Sequence, residues 1–207
     1  RLNTLPLGSC ALSGTSLKID RLSVAKTLGF ASVANNSMDV VSSRDFIAEI
    51  IFDCAQNAVH LSRISEDLIL WATKEFDFVD IDMSMCTGSS IMPHKKNPDV
   101  LELLRGSSAK LIANSNAILT LQKGLSLTYN RDLQLDKPPL FESVETTENA
   151  LSVLAKLFST LKMKKQNVAA RVDDESFFSV DVMDYLIKKG VSYRDAHDIL
   201  GRMVIDC

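Results

Sequence analysis

The sequence has 207 residues, 46% hydrophobic and only 6% aromatic, with 23 Lys and Arg against 26 Asp and Glu for a formal net charge of -3. Such a balance excludes an electrostatic case for nucleic acid or an anionic membrane. No segment approaches the ~20 apolar residues of a bilayer span, and the N-terminus carries no signal-peptide pattern.

The four cysteines, Cys10, Cys54, Cys86 and Cys207, lie too far apart for a metal-ligand or redox spacing. Reduced thiols in a cytoplasmic protein are expected. The chain starts at Arg1 and stops at Cys207 inside an apolar-periodic pattern, as a piece of a longer protein would.

Residues 1–18 read as loop, punctuated by Pro6, Gly8, Ser9, Ser13, Gly14, Thr15 and Ser16. Asp20 can cap a short helix that Gly29 ends. Residues 31–42 are small and polar and read as a connector. A long helix follows over about residues 43–73, because Ile47, Ile51, Cys54, Ala58, Leu61, Ser65, Leu68 and Ala72 recur at steps of four and three. Its length would be ~45 Å.

A second long helix begins at Pro98, with Asn97 as N-cap and Asp99 and Glu102 complementing the positive end. Its seam is Leu101, Leu104, Ser108, Leu111, Ser115 and Ile118. Residues 123–139 form a second loop. A third helix then carries Leu140, Val144, Thr147, Leu151, Leu154, Phe158 and Leu161.

Three long helices with one seam period predict an all-α bundle, and an oligomeric one. Helices shorten after residue 162: one over about residues 180–189, stopped by Gly190, and one behind the capping box Ser192-Tyr193-Arg194-Asp195. A domain boundary is expected near residue 168, with residues 1–168 in the bundle and 169–207 opening a small helical domain.

Between the first two long helices lies Gly88-Ser89-Ser90-Ile91-Met92-Pro93-His94-Lys95-Lys96-Asn97-Pro98-Asp99. Residues 31–87 contain neither glycine nor proline, so this polar run breaks a long regular region. Lys95, Lys96 and the next helix N-terminus would attract a carboxylate or phosphate. A serine hydroxyl needs such a field before it can act as base or nucleophile. On spacing alone, an anion-binding loop and a solvated, glycine-hinged connector both fit.

The run Gly88-Ser89-x-x-Met92-x-x-Lys95-x-Asn97 resembles the signature of the fumarase/aspartase superfamily, helical homotetramers that eliminate fumarate from succinyl-bearing substrates. Lys95-Lys96-Asn97-Pro98-Asp99, Leu101-Glu102-Leu103 and Tyr129-Asn130-x-Asp132-Leu133-Gln134-x-Asp136-Lys137 resemble the argininosuccinate lyase branch. So do Leu5-Pro6-Leu7-Gly8-Ser9 and Asn36-Ser37-Met38-Asp39 with Arg44-Asp45-Phe46. The alternatives are another fumarate-releasing lyase of the superfamily, adenylosuccinate lyase-like, and a non-catalytic, crystallin-like structural relative.

The resemblance implies cleavage of argininosuccinate to arginine and fumarate, with no metal or organic cofactor. It makes Ser89 the base that takes a proton beside a carboxylate, and Lys95 and Asn97 the groups that hold the resulting charge. Glu102 would pair with a relay histidine, which these 207 residues lack; His60, His94 and His197 do not match it. Tyr129, Gln134 and Lys137 would bind substrate. Each active site would collect residues from three subunits of a homotetramer, with the 88–97 loop as its lid.

Overall fold

The computed structural model describes residues 3–172 and 175–206. The chain divides into two compact units, one of Arg1–Leu70 with Asp82–Thr160, the other of Trp71–Ile81 with Leu161–Cys207. The second unit therefore starts earlier than residue 168 and also takes in a segment from between the long helices. Cys207 lies outside the described residues.

The first unit opens on a short strand, β1 (Thr4–Leu5), which pairs in parallel with β2 (Ser32–Val33) across helix α1 (Arg21–Leu28). The caps of α1 are as expected: the Asp20 carboxylate accepts from the Ser23 N–H, and Gly29 ends the helix at φ +79°. Arg21 fixes the preceding loop, its Nε donating to the Leu7 carbonyl at 3.0 Å, Nη1 to Ala34 at 3.0 Å and Nη2 to the buried Ser9 hydroxyl at 3.2 Å. Gly8, at φ +82°, lies under this guanidinium arm, where a Cβ would come within 2.8 Å of Arg21 Cγ.

The expected connector over 31–42 contains β2 and a short helix, α2 (Ser37–Ser42), whose N-cap Asn36 accepts from Asp39 N–H. The cap outweighs the polar composition that suggests loop.

The bundle consists of α3 (Asp45–Trp71), α4 (Asp99–Gln122) and α5 (Lys137–Thr160). The α3 seam is the expected one from Ile47 to Leu68, with Ala55 added; Ala72 lies beyond the helix end. Ile47 and Ile51 pack on Ile118, Cys54, Ala55 and Ala58 pack on Leu111, and Glu66 pairs with Arg105. Rising numbers on α3 meet falling numbers on α4, so the two run antiparallel.

Leu140 packs on the cluster of Ile118, Asn114 meets Glu142 and Ser143, and Leu104 and Ser107 line one pocket with Ala150 and Val153, which makes α5 antiparallel to α4. Ile51 and Ile118 are fully enclosed. Ile118→Ala is expected to cost about 2–5 kcal/mol, read as a lower urea midpoint.

The α5 seam differs from the expected one. Ser143, Ala150, Leu154 and Leu157 face inward, while Leu151 and Phe158 are half exposed and Phe141 is 64% exposed. The cause is local. Asn114 Nδ2 donates to the Pro139 carbonyl, the Glu142 carboxylate and the Ser143 hydroxyl, so the small residues turn toward α4. Hydrogen bonds from Lys110 and then Asn114 hold the Glu142 carboxyl below the usual carboxylate range, against a smaller opposing effect of desolvation.

The stability from charged Glu142 is therefore full above its unfolded pKa and is lost as pH falls through its depressed folded value. Lys110→Met should flatten that acid limb of a melting-temperature against pH curve; an unchanged limb would exclude this pair as its source.

In the second unit, β3 (Val79–Asp80) pairs antiparallel with β4 (Lys162–Met163). Asp77, at φ +52°, accepts from Lys164 Nζ and from Asn167 Nδ2. These bonds tie the 71–81 segment to α6 (Lys165–Val172), which is why it leaves the bundle. Then come α7 (Ser179–Lys188) and α8 (Tyr193–Asp206), parted by Gly190 at φ +92°. The Ser192 hydroxyl accepts from Asp195 N–H and lies 2.7 Å from its carboxylate, a compact form of the expected capping box.

Candidate active site

The polar run folds as a closed loop. Thr87 and Asn97 form an antiparallel bridge, with Thr87 N–H donating to Asn97 O at 3.0 Å and Asn97 N–H returning to Thr87 O at 2.9 Å. Thr87 N–H also donates to the Asp99 carboxylate at 3.0 Å. The Asn97 carboxamide donates to Thr87 O and Gly88 O, each at 3.4 Å. Asn97 is therefore not the helix cap: α4 starts at Asp99, Pro98 holds the cap position, and no side chain caps it. The carboxamide is engaged in the neck of the loop instead.

Inside the loop, the Ser89 hydroxyl oxygen accepts two backbone N–H groups, from Ile91 at 3.2 Å and Met92 at 3.1 Å. A turn closed by Lys95 N–H to Met92 O at 3.0 Å carries the chain back. Ser89 is half-buried, and Ile91 to Lys96 are exposed. Two N–H donors aimed at one hydroxyl oxygen stabilise negative charge there once its proton leaves. The sequence reading did not include these amides, although a serine whose hydroxyl can accept from the N–H groups two and three residues on is a recognisable turn pattern. Glu102 is exposed on the first turn of α4.

The second group of site residues sits elsewhere. The expected 123–139 loop is shorter than predicted: a 3₁₀ helix occupies Arg131–Asp136, and Pro138 and Pro139 lie in the first turn of α5, where a proline sacrifices no hydrogen bond. A 3₁₀ helix eclipses residues three apart. Leu133 and Asp136 accordingly face inward, and Gln134 and Lys137 share the exposed side. Tyr129 is 45% exposed just ahead, beside Thr128, whose N–H donates to Met38 O at 3.2 Å and whose φ is +76°.

Leu140 packs on the Ile47, Ile51 and Ile118 cluster, so this block lies by the C-terminal end of α4. The Ser89 loop lies at the N-terminal end. The residues from Asp99 to Ile118 alone separate the two groups by about 30 Å.

Among the described residues, no group of three or more His, Cys, Asp or Glu is placed to hold a metal ion, and no helix is long and apolar enough to cross a membrane. His60 and His197 are exposed on α3 and α8.

A family model described as lyase matches residues 1–113, and one described as argininosuccinate lyase C-terminal matches residues 178–207. The chain belongs to the lyase family.

Two curated relatives, both named argininosuccinate lyase, bear this out. The one from Syntrophus aciditrophicus (strain SB) is 49% identical over 207 residues, covering 100% of this chain and 44% of its own length. The one from Caldicellulosiruptor bescii is 50% identical over 205 residues, covering 99% of this chain and 44% of its own length. The chain thus spans less than half the length of these curated lyases. Among solved structures, an EDDS lyase in complex with formate matches 99% of this chain and 41% of its own, with a TM-score of 0.82 and 29% identity. The all-α bundle expected from the seam periodicity is the fold of these lyases.

Proposed function

We propose that this chain supplies the eliminating loop and a substrate-binding block of an argininosuccinate lyase, which cleaves argininosuccinate to arginine and fumarate. The observation that carries the reading is the Ser89 hydroxyl oxygen held by the Ile91 and Met92 N–H groups in an exposed, polar loop. Ser89, as alkoxide, takes the proton from the carbon beside a substrate carboxylate. The electron pair moves into that carboxylate to give a doubly charged aci form. Lys95 and Asn97 hold this charge. The pair then returns to form the carbon–carbon double bond of fumarate as the C–N bond breaks, and the electrons of that bond leave on the guanidinium nitrogen, which is protonated to give arginine.

Such a step needs charge stabilisation of several kcal/mol from groups already in place. Asn97 can exchange its two 3.4 Å bonds in the neck for substrate oxygen at little cost. Glu102 tunes the proton relay. Tyr129, Gln134 and Lys137 bind the carboxylate-rich substrate from the other group.

The separation of about 30 Å along α4 means one copy of the chain cannot bring both groups to one substrate. The site is therefore shared between copies, in a homotetramer of the cytoplasm. The exposed apolar residues Leu103 and Leu119 on α4 and Phe141, Leu151 and Phe158 on α5 support such packing. The test is an assay of the whole protein against argininosuccinate, adenylosuccinate, malate and aspartate. Release of fumarate from argininosuccinate alone is expected; no cleavage of argininosuccinate would end the reading.

A further inference from the structure

Asp136 is an aspartate only 2% exposed, and its two oxygens do different things. Oδ2 accepts from Arg44 Nε at 2.5 Å, and Oδ1 accepts from Lys137 Nζ at 3.0 Å. Arg44 is itself fixed at the elbow between α2 and α3: its Nη1 donates to Ser43 O at 2.8 Å and Val41 O at 3.3 Å. Its guanidinium thus pairs the buried carboxylate from one side.

Lys137 is the opposite kind of partner. Its side chain is 59% exposed, and it binds the residue directly before it in sequence. A solvent-facing lysine gains little stability from such a pair. What it loses is rotational freedom. An ammonium has three donors; one is committed to Oδ1, which leaves two aimed away from Asp136. Arg44, Asp136 and Lys137 sum to one positive charge, suited to a single carboxylate.

We propose that Asp136, anchored by Arg44, is a positioning residue that holds the Lys137 ammonium where a substrate carboxylate is bound. The inference rests on the reading of Lys137 as a binding residue. Its content is that the lysine works as the end of a chain from α3 through a buried carboxylate, and not as a free surface charge.

The test is a double-mutant cycle in the whole protein, with KM and kcat for argininosuccinate and the melting temperature measured on each variant. Asp136→Asn should raise KM about tenfold with kcat changed less than about threefold, because a lost orienting contact weakens substrate binding first. Arg44→Lys, which keeps the charge but loses the Nε contact, should raise KM in the same sense and serves if Asp136→Asn fails to fold. In a Lys137→Met background neither change should raise KM further. A lower melting temperature with KM unmoved, or equal KM effects with and without Lys137, would overturn the proposal and leave Asp136 a structural ion pair. Lys137→Met with a normal KM would instead remove Lys137 from the site, and the positioning role with it.

Discussion

Ser89→Ala in the whole protein is expected to lower kcat for argininosuccinate by at least about 1,000-fold, because it removes the group proposed as proton acceptor. The fold should hold. Ser89 is half-buried in a loop whose neck is formed by Thr87 and Asn97, and it is not among the buried core residues of the bundle. Among the described residues the loss is of two hydrogen bonds, from the Ile91 and Met92 N–H groups, and both amides lie in exposed residues where water can replace the hydroxyl. Helicity and assembly mass should therefore match the unmodified protein. Near-normal turnover would take Ser89 out of its role, and lost helicity would mean the loop has a structural duty not visible in its contacts.

Mixing two dead variants should restore activity. Ser89→Ala destroys one group of site residues and combined loss of Tyr129, Gln134 and Lys137 (Tyr129→Phe, Gln134→Ala, Lys137→Met in one chain) the other, and α4 keeps the two groups too far apart to serve the same substrate within one chain. If each site takes Ser89 from one copy and Lys137 from another, random assembly leaves about a quarter of the sites with both intact. Co-expression, or denaturation and refolding of the mixture, should then give about a quarter of normal turnover from components that each show almost none. Activity that stays at the level of the separate variants would show that a single copy supplies both residues, and the shared-site reading would fall.

Where the sequence was legible, one physical signal dominated. The α3 seam from Ile47 to Leu68 was readable because large and small apolar residues fall on one face with nothing competing for it. The caps of α1 were readable because Asp20 and Gly29 do what their side chains, or lack of one, dictate locally. On α5 the same rule misled: Leu151 and Phe158 are apolar and periodic but point outward, because the polar contact of Asn114 with Glu142 and Ser143 sets the rotation of the helix. Asn97 looked like a cap because it precedes a proline, and that local rule lost to a bridge across the loop.

The site divides in the same way. Ser89, Lys95 and Asn97 stand in one short run and could be found as a motif. The amides of Ile91 and Met92 are not marked by their own side chains; their signal in the sequence is Ser89, two and three residues ahead. The pairing of Arg44 with Asp136 joins residues 92 positions apart, and nothing in a single sequence selects that aspartate over its neighbour Asp132. The two-residue pairings of β1 with β2 and β3 with β4 are too short to leave a period.

The bridge between Thr87 and Asn97 has a consequence for how such a protein can diverge. It is made of backbone groups, which every residue type except proline can supply in full. The loop between its ends is largely exposed, and the Ser89 hydroxyl bonds to Ile91 and Met92 within it. Side chains within it can thus be exchanged without disturbing the helices on either side. The scaffold and the reacting group are separable units of inheritance: the bundle can drift while the loop is held, or the loop can acquire a new leaving-group preference on an unchanged bundle.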